Sequence, residues 1–496
     1  MESETAEHLD PTNEITLDSV KKRTVKGVVV LTGRTFLLSL LSLVATGLLT
    51  VFLDPSEFGI FWIVSAVVNF LAYFSDVGMA AALIQKKEQV TNSDLKSTFT
   101  IQQVLVIALL LILVVATPVF ERVYNLSFEG KLLLYSLGFS LLLSSLKTIP
   151  SVLLERKLEF GKLIIPQVFE NLAYNLVAVY FAWSGFGIRS FTYAVLVRGI
   201  VGLIAMYIIK PWKPGIGLNK KSVKELLKFG VPYQVNSLLA TIKDDGMTVV
   251  LGGILGSSGV GLLGWAQKWG QAPLRFFMDH VIKVTFPAFS RLQDEKDHLS
   301  KTLERSIFFI CFLVFPSVVA LLILAPLLIE IIPRYQKWQP AYIPLVLISV
   351  NTLFASVTTQ LTNILNAIGK IKVTFKLMIM WTVLAWVLVP ALALRYGVIG
   401  AAFGYMLLGF SSIIAVYVVL RLVKFSLLQS VAKPAVSAMF MGIILIMIRQ
   451  MLPIAMTSVI LLSFVGFFSY ILISYVLFKD FIIKDIKRVI LELFTK

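Results

Sequence analysis

The sequence predicts an all-α integral membrane protein of about 14 transmembrane helices. These form two six-helix lobes related by a pseudo-twofold axis along the membrane normal, plus two C-terminal helices. Three observations carry the prediction. The 496 residues are 57% hydrophobic, with a mean hydropathy of +0.86, above the roughly 45–50% apolar content of soluble domains. Apolar runs of about 20 residues recur along nearly the whole chain, each long enough for the hydrocarbon of a bilayer. Most of the 45 Lys and Arg fall in every second connection, which is the positive-inside pattern.

Taken in order, residues 1–26 are polar and acidic (Glu2, Glu4, Glu7, Asp10, Glu14, Asp18). They read as a disordered cytoplasmic tail with no cleavable signal peptide. Spans are expected at 27–53, 57–83, 97–120, 131–153, 164–184 and 188–210, forming an N-lobe over 27–210. Residues 211–228 hold Pro211, Pro214, Gly215 and Gly217 ahead of a basic amphipathic turn. They read as an interlobe linker on the anionic cytoplasmic leaflet or, equally, as an ordinary solvated loop. A C-lobe over 229–420 holds spans at 229–252, 260–289, 304–332, 341–367, 373–393 and 398–420. Two extra spans at 432–451 and 455–478 lie in 421–496, which ends as a cytoplasmic C-terminus. Outer turns are short, at 54–56, 185–187 and 256–259. The basic connections (Lys21-Lys22-Arg23, Lys86-Lys87, Arg156-Lys157, Lys220-Lys221, Lys370 with Lys372, Lys484 to Arg488) place both termini in the cytoplasm.

The lobes read as an internal repeat. The run from Leu53 to Phe61 and the run from Leu255 to Leu263 share Leu, Ser and Gly at equivalent positions. In the helices that follow, Ser65, Asn69, Tyr73 and Asp76 match Lys268, Gln271, Arg275 and Asp279 in relative position. Repeats of six helices keep one membrane orientation, so their axis runs along the membrane normal.

The charges inside the spans locate the candidate chemistry. The seventh span carries Lys243, Asp244 and Asp245; the eighth carries Lys268, Arg275, Asp279, His280 and Lys283. One ionised side chain at the bilayer centre costs about 2.5–3.5 kcal/mol on insertion scales, so such helices do not face lipid. At 100° per residue Lys268, Arg275 and Asp279 lie within about 20° of one line, flanked by Gln271 and Lys283. The line faces water or a bound solute; the competing reading is a set of buried ion pairs that fix helix register. Arg34, Lys147, Glu170 and Arg198 are further span charges, with snorkelling open to Arg34, Lys147 and Arg198. The last four spans have almost no mid-span charge and read as scaffold.

Other classes are disfavoured. A net charge of +17 would suggest nucleic acid in a soluble protein, but here its distribution follows the membrane. One cysteine, Cys311, excludes disulfides, and three scattered histidines make no metal cluster. No Gly-x-x-x-x-Gly-Lys-Ser/Thr loop is present, so no cofactor is expected and any coupling uses H⁺ or Na⁺.

Five stretches carry a resemblance: 53–59 (LDPSEFG), 75–86 (SDVGMAAALIQK), 153–163 (LLERKLEFGKL), 282–293 (IKVTFPAFSRLQ) and 325–344 (APLLIEIIPRYQKWQPAYIP). By them the chain resembles the polysaccharide-transport branch, the oligosaccharide flippases, of the multidrug/oligosaccharidyl-lipid/polysaccharide exporter superfamily. The resemblance implies two six-helix bundles around a central cavity and translocation of a polyprenyl-diphosphate oligosaccharide across the cytoplasmic membrane by alternating access. It implies a lipid-linked oligosaccharide and membrane lipids as partners, with a polysaccharide polymerase and glycosyltransferases nearby, and a monomer. By helix number Arg34, Lys243, Lys268 and Arg275 are its cationic substrate-binding residues. Apart from the resemblance, Asn69, Asn236 and Gln271 are candidates by their side chains for the polar lining of such a cavity, with helix–helix hydrogen bonds the equal alternative. Asp76, Asp244, Asp245 and Asp279 are candidates for ion coupling, with pairing to nearby Lys or Arg the alternative role. The second span departs from some relatives in offering Asp76 and no mid-span base. A cation-coupled drug antiporter of the same superfamily is the alternative; a polytopic glycosyltransferase or polymerase would need a larger outer loop.

Overall fold

A computed structural model describes residues 38–494, and within them all side chains other than those of 235–237, 239–240 and 478–494. The described elements are helices throughout: α1 (Leu38–Phe52), α2 (Pro55–Ala72), α3 (Met79–Gln85), α4 (Asn92–Tyr124), α5 (Phe128–Leu146), α6 (Thr148–Arg156), α7 (Phe160–Trp183) and α8 (Arg189–Ile209). After the linker come α9 (Lys220–Thr241), a π-turn (Ile242–Gly246), α10 (Met247–Gly270), α11 (Ala272–Arg291) and α12 (Lys296–Ile331). A 3₁₀ turn (Tyr335–Ala341) leads to α13 (Tyr342–Ala367), α14 (Ile371–Phe410), α15 (Ser412–Leu420), α16 (Leu427–Arg449) and α17 (Met456–Phe494).

Nine helices among the described residues are long and apolar enough to cross a membrane, or ten if the bent pair α5 and α6 is one span. The chain is a multi-pass membrane protein, although that measure stops short of 14. Part of the difference lies in helices that run on through a turn. Residues 371–420 count as one 50-residue segment, about 75 Å at 1.5 Å per residue and far longer than the hydrocarbon. At Gly397 the backbone takes φ 60° and ψ −140°, a conformation open essentially to glycine alone. There the chain folds back, so that Gly400 and Gly404 pack on Leu392 and Val389 of the preceding arm. Gly256 (φ 66°, ψ 179°) divides α10 in the same way, at the first residue of the expected 256–259 turn.

The repeat has a physical counterpart at this turn. A Cβ on Gly59 would overlap the Ser257 carbonyl, and a Cβ on Gly261 would overlap the Pro55 carbonyl. Those are equivalent positions of the two runs, each meeting the other's partner.

By compactness the chain divides into one unit ending at Gly261 and another beginning at Leu262. The first has a core of Met79, Leu83, Leu95, Phe99, Ile149, Leu153, Trp212 and Leu226. Its linker is strapped down. Trp212 meets Phe99 edge to face at 5.1 Å, Gly217 N donates to Thr100 Oγ1 at 3.0 Å, and Asn219 N to Ser97 Oγ at 2.9 Å. Arg156, expected in a basic loop with Lys157, is instead buried at the end of α6. Its guanidinium donates to the carbonyls of Leu83 (2.6 Å) and Lys86 (2.8 Å), with longer contacts to Ile84 and Glu88. These are carbonyls that the C-terminus of a helix leaves without partners.

In the second unit the core joins α12 and α13 to α16 and α17 through Cys311, Val314, Leu361, Ile364, Met441, Leu445 and Leu462. Tyr470 of α17 donates to the Phe312 carbonyl at 2.9 Å. In the 325–344 stretch Trp338 is fully buried and stacks on Trp265 at 5.6 Å; it is a packing anchor.

Candidate functional site

Two stretches carry the candidate residues, each described by itself. In the first unit, α9 carries Pro232 in its interior, which lacks the N–H for an i−4 bond. It then widens into the π-turn holding Lys243, Asp244 and Asp245. A π-turn inserts one extra residue into the helical ladder and is frequent at functional sites. Lys243 Nζ lies 3.4 Å from Asp244; both are substantially exposed, so the pair contributes no more than about 1 kcal/mol. The Asp245 carboxylate lies near the Asn69 side chain of α2. One turn on, Tyr73 and Gln234 exchange hydrogen bonds, Tyr73 Oη donating to the Gln234 carbonyl and Gln234 Nε2 to the Tyr73 carbonyl. Gly78 and Gly230 bring the two backbones into contact. The polar face expected on the second span is thus the face on which α9 and the π-turn rest.

Asp76 stands apart from that face. Its carboxylate accepts from Gly78 N at 3.0 Å and from Ala80 N at 3.4 Å, so it closes the bend between α2 and α3 and satisfies donors at the start of α3.

In the second unit the eighth predicted span is α10 beyond Gly256 together with α11. Pro273, at the second position of α11, withholds the hydrogen bond that would bridge the two, and Gln271 turns the chain with φ −92° and ψ −11°. Its Oε1 accepts from Arg275 Nη2 at 2.9 Å. Lys268, Arg275, Asp279 and Lys283 are all exposed, while Met278 and Phe289, beside that line, are buried. The rotation of α11 is fixed from α13: Asn363 Nδ2 donates to Thr285 Oγ1 at 2.8 Å, and the fully buried Gln360 donates to Met278 Sδ at 3.3 Å. Buried polar donors that lose partners are costly, so these contacts hold the rotation that leaves the charged line exposed. Among the described residues none of Lys268, Arg275 and Asp279 forms an ion pair.

The structure therefore joins Asn69 with Asp245, and Gln271 with Arg275 on the line of Lys268 and Asp279; Lys243 pairs with Asp244. Arg34 lies outside the described residues, as does the side chain of Asn236. The reading of the sequence missed the π-turn, for which Pro232 ahead of a charged run was the available signal.

Comparison with known proteins bears on what such a line serves. A family model described as polysaccharide biosynthesis protein matches residues 48–343, more than half of the chain. Lipopolysaccharide biosynthesis protein WzxC of Escherichia coli K12 is 22% identical over 409 residues, 81% of this chain and 82% of that protein. Succinoglycan biosynthesis transport protein ExoT of Rhizobium meliloti is 27% identical over 273 residues, 53% of each. Among solved structures, the lipid II flippase MurJ in its inward closed conformation aligns over 92% of this chain and all of its own, with a TM-score of 0.75 at 16% identity. An inward-facing multidrug resistance MATE family transporter of the MOP superfamily covers 77% of this chain and 95% of its own, with a TM-score of 0.60 at 16% identity. The fold is the one these two share.

Proposed function

Because the chain belongs to the polysaccharide biosynthesis protein family, we propose that it is a flippase for polyprenyl-diphosphate-linked oligosaccharide in the cytoplasmic membrane. The observation that carries the reading is the exposed line of Lys268, Arg275, Asp279 and Lys283, whose first three members form no ion pair among the described residues. A diphosphate brings about two negative charges, and attraction between charges strengthens many-fold as water is excluded. Arg275 offers a fork that fits phosphate oxygens, and Lys268 a compact point charge. Asn69 and Gln271 supply hydrogen-bonding groups of the kind sugars need. Lys243 and Arg34 complete the cationic set by helix number. The names of WzxC, ExoT and MurJ support the substrate class, while the MATE likeness shows that the fold also serves small molecules; the basic line favours the anionic lipid.

The direct test uses purified protein in vesicles with a fluorescent lipid-linked oligosaccharide on one face. Protein-dependent appearance on the other face supports the reading; efflux of cationic dyes with no glycolipid movement overturns it. In the same reading the chain makes 14 crossings, with both termini cytoplasmic and turns at Gly256 and Gly397. Single-cysteine labelling in a Cys311→Ser background is expected to find Lys87, Lys221, Lys372 and Lys487 inside and Glu57 and Gly187 outside. Labelling of position 187 only from the cytoplasm would remove the topology.

A further inference from the structure

Three charges scattered over the fourth, fifth and sixth predicted spans come together in the first unit. Lys147 stands at the 42° bend between α5 and α6 and pairs with Glu170 of α7. Arg198 of α8 brings its Nε to 3.9 Å from the other Glu170 oxygen and its guanidinium to 5.9 Å from the centre of the Tyr174 ring. Gly202, one turn further along α8, makes room for the carboxylate, since a Cβ there would overlap it. Glu170 is held between two cations and a helix backbone.

The charges do not balance: two cations share one carboxylate. The surplus sits on Arg198. Lys147 and Glu170 keep only 15% and 11% of their side-chain surface, whereas Arg198 keeps 50%. A guanidinium has five donors, and the 3.9 Å approach to Glu170 is its only ion pair among the described residues. Arg198 is about 14 Å or more along the axis from either end of α8, beyond the reach of snorkelling. An ionised group in such a place marks a ligand or ion path by default.

We infer that Arg198, backed by Lys147 and Tyr174, is a subsite for the phosphate group of a lipid. The fork suits two phosphate oxygens. Glu170 holds the cations until the phosphate displaces it. The subsite lies on other helices than the α10 and α11 line and does not rest on the flippase reading.

The test is native mass spectrometry of the full-length protein, titrated with a polyprenyl diphosphate and separately with phosphatidylglycerol. Zwitterionic phosphatidylcholine serves as the control. A Lys268→Ala, Arg275→Ala background removes the other cationic line. Arg198→Gln is expected to weaken anionic-lipid binding about tenfold, and Arg198→Lys less, because the charge survives and the fork does not. Glu170→Gln is expected to tighten binding, since the competing carboxylate is gone, even if the melting temperature falls. A purely structural cluster gives no gain on Glu170→Gln. The inference is overturned if Glu170→Gln leaves binding unchanged or weaker in folded protein, or if Arg198→Gln and Arg198→Lys both bind as the parent does. Preference for the diphosphate makes a transported lipid the source of the phosphate; equal or better binding of phosphatidylglycerol makes it a resident membrane lipid.

Discussion

Arg156 and Arg275 have the same side chain and opposite surroundings. Arg156 is buried, and its guanidinium is spread over four backbone carbonyls around the end of α3. Arg275 is exposed, with one hydrogen bond to Gln271 on its own helix turn. The first has its donors committed to the fold; the second keeps donors for something else. The contrast between the two lies in where their hydrogen bonds already go, and it is what the proposed role of Arg275 rests on.

That contrast is broken or sharpened by substitution. The largest effect on the protein itself is expected for Arg156→Ala, which strands buried carbonyls and leaves a cavity, at about 2–4 kcal/mol. It should show as a sharp fall in membrane abundance and melting temperature. Arg275→Ala should do the reverse: near-normal abundance and melting, with transport in the vesicle assay reduced at least tenfold. If activity falls only in step with abundance, Arg275 belongs with Arg156 and the contrast fails. Arg275→Lys should recover part of the rate, since charge is kept and bidentate geometry lost. Asp279→Asn should remove any dependence of transport on pH or Na⁺ gradients while the protein stays folded. Unchanged dependence in both Asp279→Asn and Asp76→Asn would take the ion-coupling role from both. The smallest effect is expected for Arg421→Ala, where only a local contact with Tyr417 on the preceding turn is lost, visible as wild-type turnover and a melting shift of a few degrees at most.

Most helices were legible because apolar runs bounded by Gly, Pro and charge follow from hydropathy alone. The turns at Asp54, Gly185 to Gly187 and Gly256 fell where small and turn-forming residues stand. The charged line on the eighth span was also legible, since 3.6-residue geometry puts residues seven and eleven apart on one side. Bends were harder to see. The second span was read as one helix, yet it breaks between Ala72 and Met79, where Val77 and Gly78 take positive φ and Gly78 lies on Gly230. The bend at Lys147 likewise accompanies an ion pair from another helix. Arg156 was read as loop charge because a run of Glu, Arg and Lys looks solvated in sequence; the four carbonyls that pull it inward belong to residues about 70 positions away. The meeting of Lys147, Glu170 and Arg198 was hidden for the same reason, each looking alone like a snorkelling or misplaced charge.

The contact of Gly59 with Ser257 and of Gly261 with Pro55 has the form of an isologous dimer interface, in which residue i of one partner meets j of the other and j meets i. Here both partners belong to one polypeptide. Between Leu53 to Phe61 and Leu255 to Leu263 little besides the Leu, Ser and Gly positions coincides, yet the backbones still fit one another symmetrically. A side chain at either glycine would obstruct both copies' shared crossing, so each is constrained by its counterpart as much as by its own helix. Downstream of that crossing no such reciprocity binds the residues. One copy has come to carry a polar seam at Asn69 and Tyr73, and the other an outward row of charge from Lys268 to Lys283. The two stretches are symmetric where backbone meets backbone, and the side chains that follow them differ.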